Sequence, residues 1–221
     1  MSGSAPSVTV VLRDRTGCEK QKTDNIVLLM EDEQTLIQKA KEGKEEAFGV
    51  LYDRHISAIY RFVFLKVGGK KGDAEDITHE VFLSAWKNIG NYKFQGFPFS
   101  SWLYRIARNA IIDYYRTSKQ NQNIAFHETP EHLLISEKTE EHDLDKTFEM
   151  ERIKKCLALL EPTYQDVLIM KFVEDRSNKE IAAALEKSEG AIRVIQHRAL
   201  KQLKKYLEET NEQSHQTTQS A

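Results

Sequence analysis

The chain has 221 residues, 40% hydrophobic and 30% charged, with 32 Lys and Arg against 34 Asp and Glu. That composition supplies ordinary cores and carries too much charge for a membrane protein, and ten Gly with four Pro exclude a collagen-like or Pro-rich architecture. No run approaches the roughly 20 apolar residues of a membrane-spanning helix, and the first residues lack the basic and apolar regions of a secretory signal, so a soluble cytoplasmic protein is expected.

Residues 1–30 combine a short β-prone run after Val8 with a polar stretch and read as a flexible extension. Residues 31–118 read as helices almost throughout, with breaks at Gly43, at Gly68-Gly69-Lys70-Lys71-Gly72 and between Gly90 and Gly96. Residues 119–147 lose the apolar periodicity and are rich in Asp and Glu, against Lys138 and Lys146. Such a stretch cannot bury enough apolar surface to offset chain entropy and reads as a flexible acidic linker. Residues 148–207 are helical again, and 208–221, rich in Gln, Thr and Ser, read as a disordered tail. Strand alternation and internal repeats are absent from the pattern, so the expected fold is all-α, two helical domains on an acidic tether. Cys18 and Cys156 lie far apart and outside any metal-ligand spacing; neither a disulfide framework nor a metal site is expected.

In the first domain, residues 73–86 separate into faces. Ile77, Val81, Phe82, Ala85 and Trp86 fall on one side; Asp73, Asp76 and Glu80 line the other, with Glu75 beside them. Like charges at these spacings cost about 0.2–0.5 kcal/mol per pair. A basic protein partner or the positive end of the helix dipole would offset that cost. A metal site lacks a second cluster, and Leu83 stands where a zinc-protease motif needs its second histidine.

Residues 92–100 form a loop with four rings, Tyr92, Phe94, Phe97 and Phe99, ending at Ser100. The helix that follows is expected to bury Trp102, Ile106, Ala110 and Tyr114 and to expose Arg105, Arg108, Asn109 and Arg116. Cations for a backbone together with ring faces for unstacked bases are the means by which single-stranded nucleic acid is held.

In the second domain, Ser177-Asn178-Lys179-Glu180 is a capping box opening a short helix with Ile181, Ala182 and Leu185 as its apolar stripe. Ser188 then caps a second helix near Glu189. Ile192, Ile195, Ala199, Leu203 and Tyr206 define its buried face, and Arg193, His197, Lys201 and Lys204 lie opposite, flanked by Arg198 and Lys205. Two helices joined by a short turn, the second basic outward, describe a helix-turn-helix. Residues 176–206 hold eight Lys and Arg against three Glu in a chain of net charge −2, the footprint of a phosphate-contacting module. Val194 sits amid the polar face, where it could pack on a thymine methyl or be a stray surface valine.

These residues carry a family resemblance. The chain resembles a bacterial sigma factor of the sigma-70 family, extracytoplasmic-function (ECF) type, over residues 33–118 and 150–207. The matching stretches are Ala47-Phe48 with Leu51-Tyr52 and Arg54; Asp73-Ala74-Glu75-Asp76 with Val81-Phe82 and Ala85-Trp86; Phe99 with Trp102-Leu103, Ile106-Ala107-Arg108-Asn109, Asp113 and Arg116; and Glu180-Ile181-Ala182, Leu185, Ser188-Glu189-Gly190 and His197-Arg198-Ala199-Leu200.

The resemblance implies a sigma region 2 bundle over 31–118 and a region 4 helix-turn-helix over 148–207, with no catalytic residue, cofactor or metal. It implies core RNA polymerase as partner, through the β′ clamp helices and the β flap, with docking by Asp73, Glu75, Asp76, Glu80 and Phe82. It further implies −10 promoter binding and melting by Tyr92, Phe94, Phe97, Phe99, Ser100, Arg105, Arg108, Asn109 and Arg116. Ser188, Glu189, Arg193, Val194, His197, Arg198 and Lys201 would bind the −35 element, and an anti-sigma factor is a further partner. This chain departs from the family at Glu186, where a helix-ending Gly is usual, and at Val194-Ile195-Gln196, which replaces a more polar run. Three rival readings are a conventional helix-turn-helix regulator, which predicts inverted-repeat operators bound without polymerase, an anti-sigma or adaptor protein that mimics these surfaces without touching DNA, and a nuclease, for which the sequence lacks a coherent carboxylate cluster for two metals.

Overall fold

A computed structural model of the chain describes residues 30–94, 96–122 and 144–218. The expected extension, but for Met30, and the middle of the expected linker lie outside the described residues, as does Cys18. Eight α-helices and no strand occur among those described. They are α1 (Glu33–Lys41), α2 (Glu45–Lys66), α3 (Lys71–Asn88), α4 (Phe99–Gln122), α5 (Leu144–Ala158), α6 (Pro162–Leu168), α7 (Asn178–Leu185) and α8 (Glu189–Thr218).

Packing divides the chain into two compact units, one through Leu51 and one from Tyr52 onward. In the first, Asp32 caps α1 by accepting from the Thr35 amide at 3.0 Å, and Leu36, Ile37 and Ala40 form its buried stripe. Gly43 then turns the chain with φ +83°, a left-handed conformation that side chains disfavour.

The second unit starts within α2. Ile59, Phe62, Val63 and Val67 are buried, as are Ala74, Ile77, Val81, Phe82 and Ala85 of α3. The apolar face of α3 is therefore the one its periodicity indicates. The register of α4 differs from expectation. Beyond Phe99, Ser100 and Ser101 at its start, its buried residues are Leu103, Tyr104, Ala107 and Ile111, whereas Trp102, Ile106, Ala110 and Tyr114 are only half-buried. The reason is two-sided packing: α4 contacts α3 along one flank and α7 along another. Two apolar rows one residue apart both exist in the sequence, and only the tertiary context selects the inner one.

In the C-terminal helices, Pro162 occupies the first turn of α6, where its missing N–H costs nothing. The helix then widens into a π-turn over Ile169–Val173, closed by a Glu174 N–H to Ile169 C=O bond of 3.1 Å. The α7 capping box is complete: the Glu180 amide donates to Ser177 Oγ at 3.2 Å, and the Ser177 amide donates to Glu180 Oε2 at 2.8 Å. Helix α7 ends at Glu186 with φ +54°, the conformation a C-terminal glycine normally supplies. Ser188 caps α8 by accepting from the Ala191 amide at 3.2 Å. Leu160, Leu168 and Ala199 form the local core, with Leu157, Tyr164, Leu203 and Tyr206 packed on it, and Cys156 is buried.

Helix α8 continues to Thr218, through most of the segment read as a disordered tail. Lys204–Glu208 and Lys205–Glu209 pairs at 3.6 Å support the extra turns. From Tyr52 on, the helices of both domains cluster as one compact unit, joined by ion pairs that no local pattern announces.

Candidate nucleic-acid interface

The acidic face of α3 is the simplest surface. Glu75, Asp76 and Glu80 are exposed; Glu75 lies 4.0 Å from Lys71, and no ion pair is found for Asp76 or Glu80 among the described residues. Asp73 is different, being half-buried and accepting a 2.5 Å hydrogen bond from Tyr114. Phe82 is 3% exposed and packs edge-on against Tyr52 at 4.7 Å. It supports the ridge from below rather than presenting a docking surface, because it lies on the apolar side of α3.

The four rings of the 92–100 loop separate. Tyr92 and Phe99 are buried and form a trio with Trp102, their centroids 5.1–5.3 Å apart. They are structural rings that hold the loop on the start of α4. Phe94 is exposed and Phe97 half-buried. An open cleft of about 180 Å³ lies beside Phe97, with Tyr92, Lys93, Ser101, Trp102 and Arg105 also in its lining; Phe94 is not part of it. Ser100 is buried, with an Arg176 guanidinium nitrogen 3.5 Å from its Oγ.

The basic residues of α4 also fall into two groups. Asn109 and Arg116 are exposed, Arg116 pairing with Asp113 at 3.0 Å. Arg105 and Arg108, expected to face solvent, are half-buried and engaged. Arg105 donates to the Ala183 carbonyl at 3.0 Å and pairs with Glu186 at 2.9 Å. Arg108 donates to Asp166 Oδ2 at 3.0 Å. Lys66 approaches the other Asp166 oxygen at 2.8 Å as an ion pair without hydrogen-bond geometry, while donating to the Pro162 carbonyl at 3.0 Å. Arg61 grips Glu174 with two bonds of 3.0 and 2.9 Å, and that contact raises the guanidinium pKa above its usual value. Asp166 and Glu174 are buried. Nothing in the sequence marked them, since an acid in a short helix usually faces water.

On the helix-turn-helix, Ser188, Glu189, Arg193, Val194, His197, Arg198 and Lys201 are all exposed. Glu189 lies 3.7 Å from Arg193, one turn along α8. Among the described residues no three His, Cys, Asp or Glu side chains converge as a metal site, and no helix is long and apolar enough to cross a membrane.

Known proteins are similar to this chain in sequence and fold. Sigma-70 region 2 matches residues 51–121 and Sigma-70, region 4 matches residues 150–203. The ECF RNA polymerase sigma factor BldN of Streptomyces coelicolor is 33% identical over 78% of this chain and 64% of its own length, so this chain spans just under two thirds of that relative. The ECF RNA polymerase sigma factor SigW of Bacillus subtilis is 28% identical over 77% of this chain and 94% of its own length. Among solved structures, CnrH in complex with the cytosolic domain of CnrY aligns with TM-score 0.59 and 25% identity, covering 79% of this chain and 96% of that one. The fold is also that of the sigma factor RpoE of Bartonella quintana, solved with the anti-sigma factor NepR: TM-score 0.58, 21% identity, 73% and 96% coverage. With regions 2 and 4 both matched, in that order, on helices that present an acidic ridge, an aromatic cleft and a basic helix-turn-helix, the chain belongs to the ECF group of the sigma-70 family.

Proposed function

We propose that this chain is a non-enzymatic promoter-selectivity subunit: it binds core RNA polymerase in the cytoplasm and directs initiation at promoters with defined −35 and −10 elements. Its exposed acids Glu75, Asp76 and Glu80 dock on the β′ clamp helices, and region 4 reaches the β flap. The cleft lined by Tyr92, Phe97 and Trp102 takes an unstacked −10 base, with Arg105, Arg108, Asn109 and Arg116 on the backbone. Base contacts there offset part of the melting cost, a few kcal/mol per flipped nucleotide by analogy with base-flipping enzymes. The exposed face of α8 reads the −35 major groove, and an anti-sigma factor is a further partner, as the Bartonella RpoE has in its complex.

The observation that carries this reading is the coexistence, on one matched region 2 module, of an exposed acidic ridge, in which Asp76 and Glu80 have no ion pair among the described residues, and an aromatic cleft with Lys93 and Arg105 in its lining. The direct test is transcription from genomic fragments with purified core enzyme. Discrete start sites that depend on the added chain are expected; no chain-dependent transcript on any fragment would refute the reading.

A further inference from the structure

Over residues 99–118, α4 carries one acid, Asp113, against Arg105, Arg108 and Arg116, a balance that suits a phosphate backbone. At 3.6 residues per turn, Ile112 falls inside the row of those arginines, roughly 40° around the helix from Arg108 and Arg116 and roughly 60° from Asn109. It is 49% exposed. Arg105 and Arg108 are half-buried and paired with acids, so Asn109, Ile112 and Arg116 are what this row turns to solvent. Arg116 is held by Asp113 at 3.0 Å. One turn beyond Ile112, the Tyr115 hydroxyl donates to the Lys66 carbonyl at 2.7 Å, which pins a second apolar surface, exposed like Ile112, on the same side of the helix.

A lone exposed apolar side chain is ordinary. Ile112 is not well explained that way, because its neighbour Ile111 already supplies the buried contact, and a β-branched residue loses rotamer freedom in a helix. We propose that Ile112 is a base-reading residue of the −10 surface: it packs on the C5-methyl group of a promoter thymine while Asn109 and Arg116 hold the backbone on either side. The inference rests on the promoter-binding reading and gives it a sequence preference. A hydrocarbon side chain cannot read donors or acceptors, and the thymine methyl is the apolar group that a base edge offers in the major groove. The role differs from that of the aromatic cleft, since ring stacking accepts the face of any base.

The test uses the full-length chain reconstituted with core enzyme, on promoter duplexes taken from the chain-dependent start sites. Each −10 thymine is replaced in turn by deoxyuridine, which deletes the methyl group and leaves every hydrogen-bonding atom in place. Competition binding compares wild type, Ile112→Ala and Ile112→Val, with circular dichroism confirming that helix content persists.

Wild type should lose about fourfold in affinity at one −10 thymine, the worth of one buried methyl-sized group. Ile112→Ala should bind the thymine duplex about that much more weakly and be indifferent to the swap at that position, with −35 swaps unaffected. Ile112→Val should keep most of the discrimination. A −10 element without a recurring thymine, a wild-type enzyme indifferent to every swap, or an Ile112→Ala chain that keeps the wild-type loss overturns the inference. Equal weakening of Ile112→Ala on thymine and uracil duplexes also overturns it, being the mark of a wedge between base steps. In each of these cases chain-dependent initiation persists and the functional reading stands; the absence of any such start site removes that reading, and this inference with it.

Discussion

The Tyr114 hydroxyl donates a 2.5 Å hydrogen bond to Asp73 Oδ2, tying the later turns of α4 to the first turn of α3. Burial and the Asp73 carboxylate together push the phenol up to about 12. One of the four ridge acids is thus committed inside the molecule. Tyr114→Phe should destabilise the fold by about 1–2 kcal/mol, the low end for a bond to a charged group because the site is partly wet. Urea denaturation measures this, and a change below a few tenths of a kcal/mol would show the bond to be incidental.

Polymerase docking should then depend on the free acids. Asp76→Arg reverses charge on the exposed ridge and should sharply reduce co-purification with core enzyme, most visibly at low salt. Phe82→Ala should act on stability instead, costing about 3–5 kcal/mol as a buried ring lost from the core. A stable Phe82→Ala chain that no longer bound core would return Phe82 to the interface.

Those two residues show what was readable from the sequence. The faces of α3, the α7 capping box and the exposed row on α8 were legible because each depends on spacing within one helix. The register of α4 was not, since Trp102–Ile106 and Leu103–Ala107 are equally good stripes until α7 packs against the helix. Tyr92 and Phe99 looked like Phe94 and Phe97 in a ring-rich loop; only Trp102, brought beside them by the fold, makes them core. The π-turn and the burial of Asp166 left no sequence signal, being products of contacts about 60 to 110 residues apart.

The capping box gives an acid-side prediction. Burial works to raise the Glu180 pKa, but hydrogen bonds from Ser177 and the charge of Arg176 outweigh it, and the value lies below 4.5. A depressed carboxylate stabilises the fold above its unfolded pKa and loses that contribution as pH falls through the folded value. Ser177→Ala should cost about 1 kcal/mol at neutral pH, with the gap to wild type narrowing below pH 4.5. Denaturation midpoints at pH 7 and under acid conditions decide this; a constant gap would assign the loss to something other than the cap.

Tyr104 should matter at the alkaline end. It is 1% exposed, its hydroxyl makes no hydrogen bond of good geometry, and burial, aided by the nearby Glu174 charge, pushes it from 10.0 up to about 12. A phenol with a raised folded pKa contributes stability that is fully present below pH 10 and lost as pH rises through 12. Tyr104→Phe removes an unsatisfied group, so its effect at pH 7 should stay within about 1 kcal/mol. The variant should then lose less stability than wild type as pH climbs; a steeper loss would contradict the assignment.

For the −35 face, Arg193 is the sharpest case, because Glu189 holds it only loosely across 3.7 Å of exposed surface. Arg193→Ala should weaken binding of an upstream-element duplex by about 1–3 kcal/mol if it bonds a base edge. Lys201→Ala should instead weaken all duplexes alike and shallow the salt dependence. Equal losses on specific and random DNA for Arg193→Ala would make it a phosphate contact.

Glu186 sets local strain against a long-range contact. Its φ of +54° is left-handed, a conformation that costs a side-chain-bearing residue about 1–2 kcal/mol. Its ion pair with Arg105 is largely exposed on the Glu186 side, and such pairs contribute about 0–1 kcal/mol. Glu186→Gly should therefore stabilise the folded chain by about 1 kcal/mol, because the strain it relieves exceeds the pair it loses. Glu186→Gln separates the two effects: it keeps the left-handed residue, removes the charge and should change stability by less than about 1 kcal/mol. If the glycine variant were instead less stable than the glutamine one, the Arg105 contact could not be the minor partner, and the end of α7 would be held by more than its own backbone.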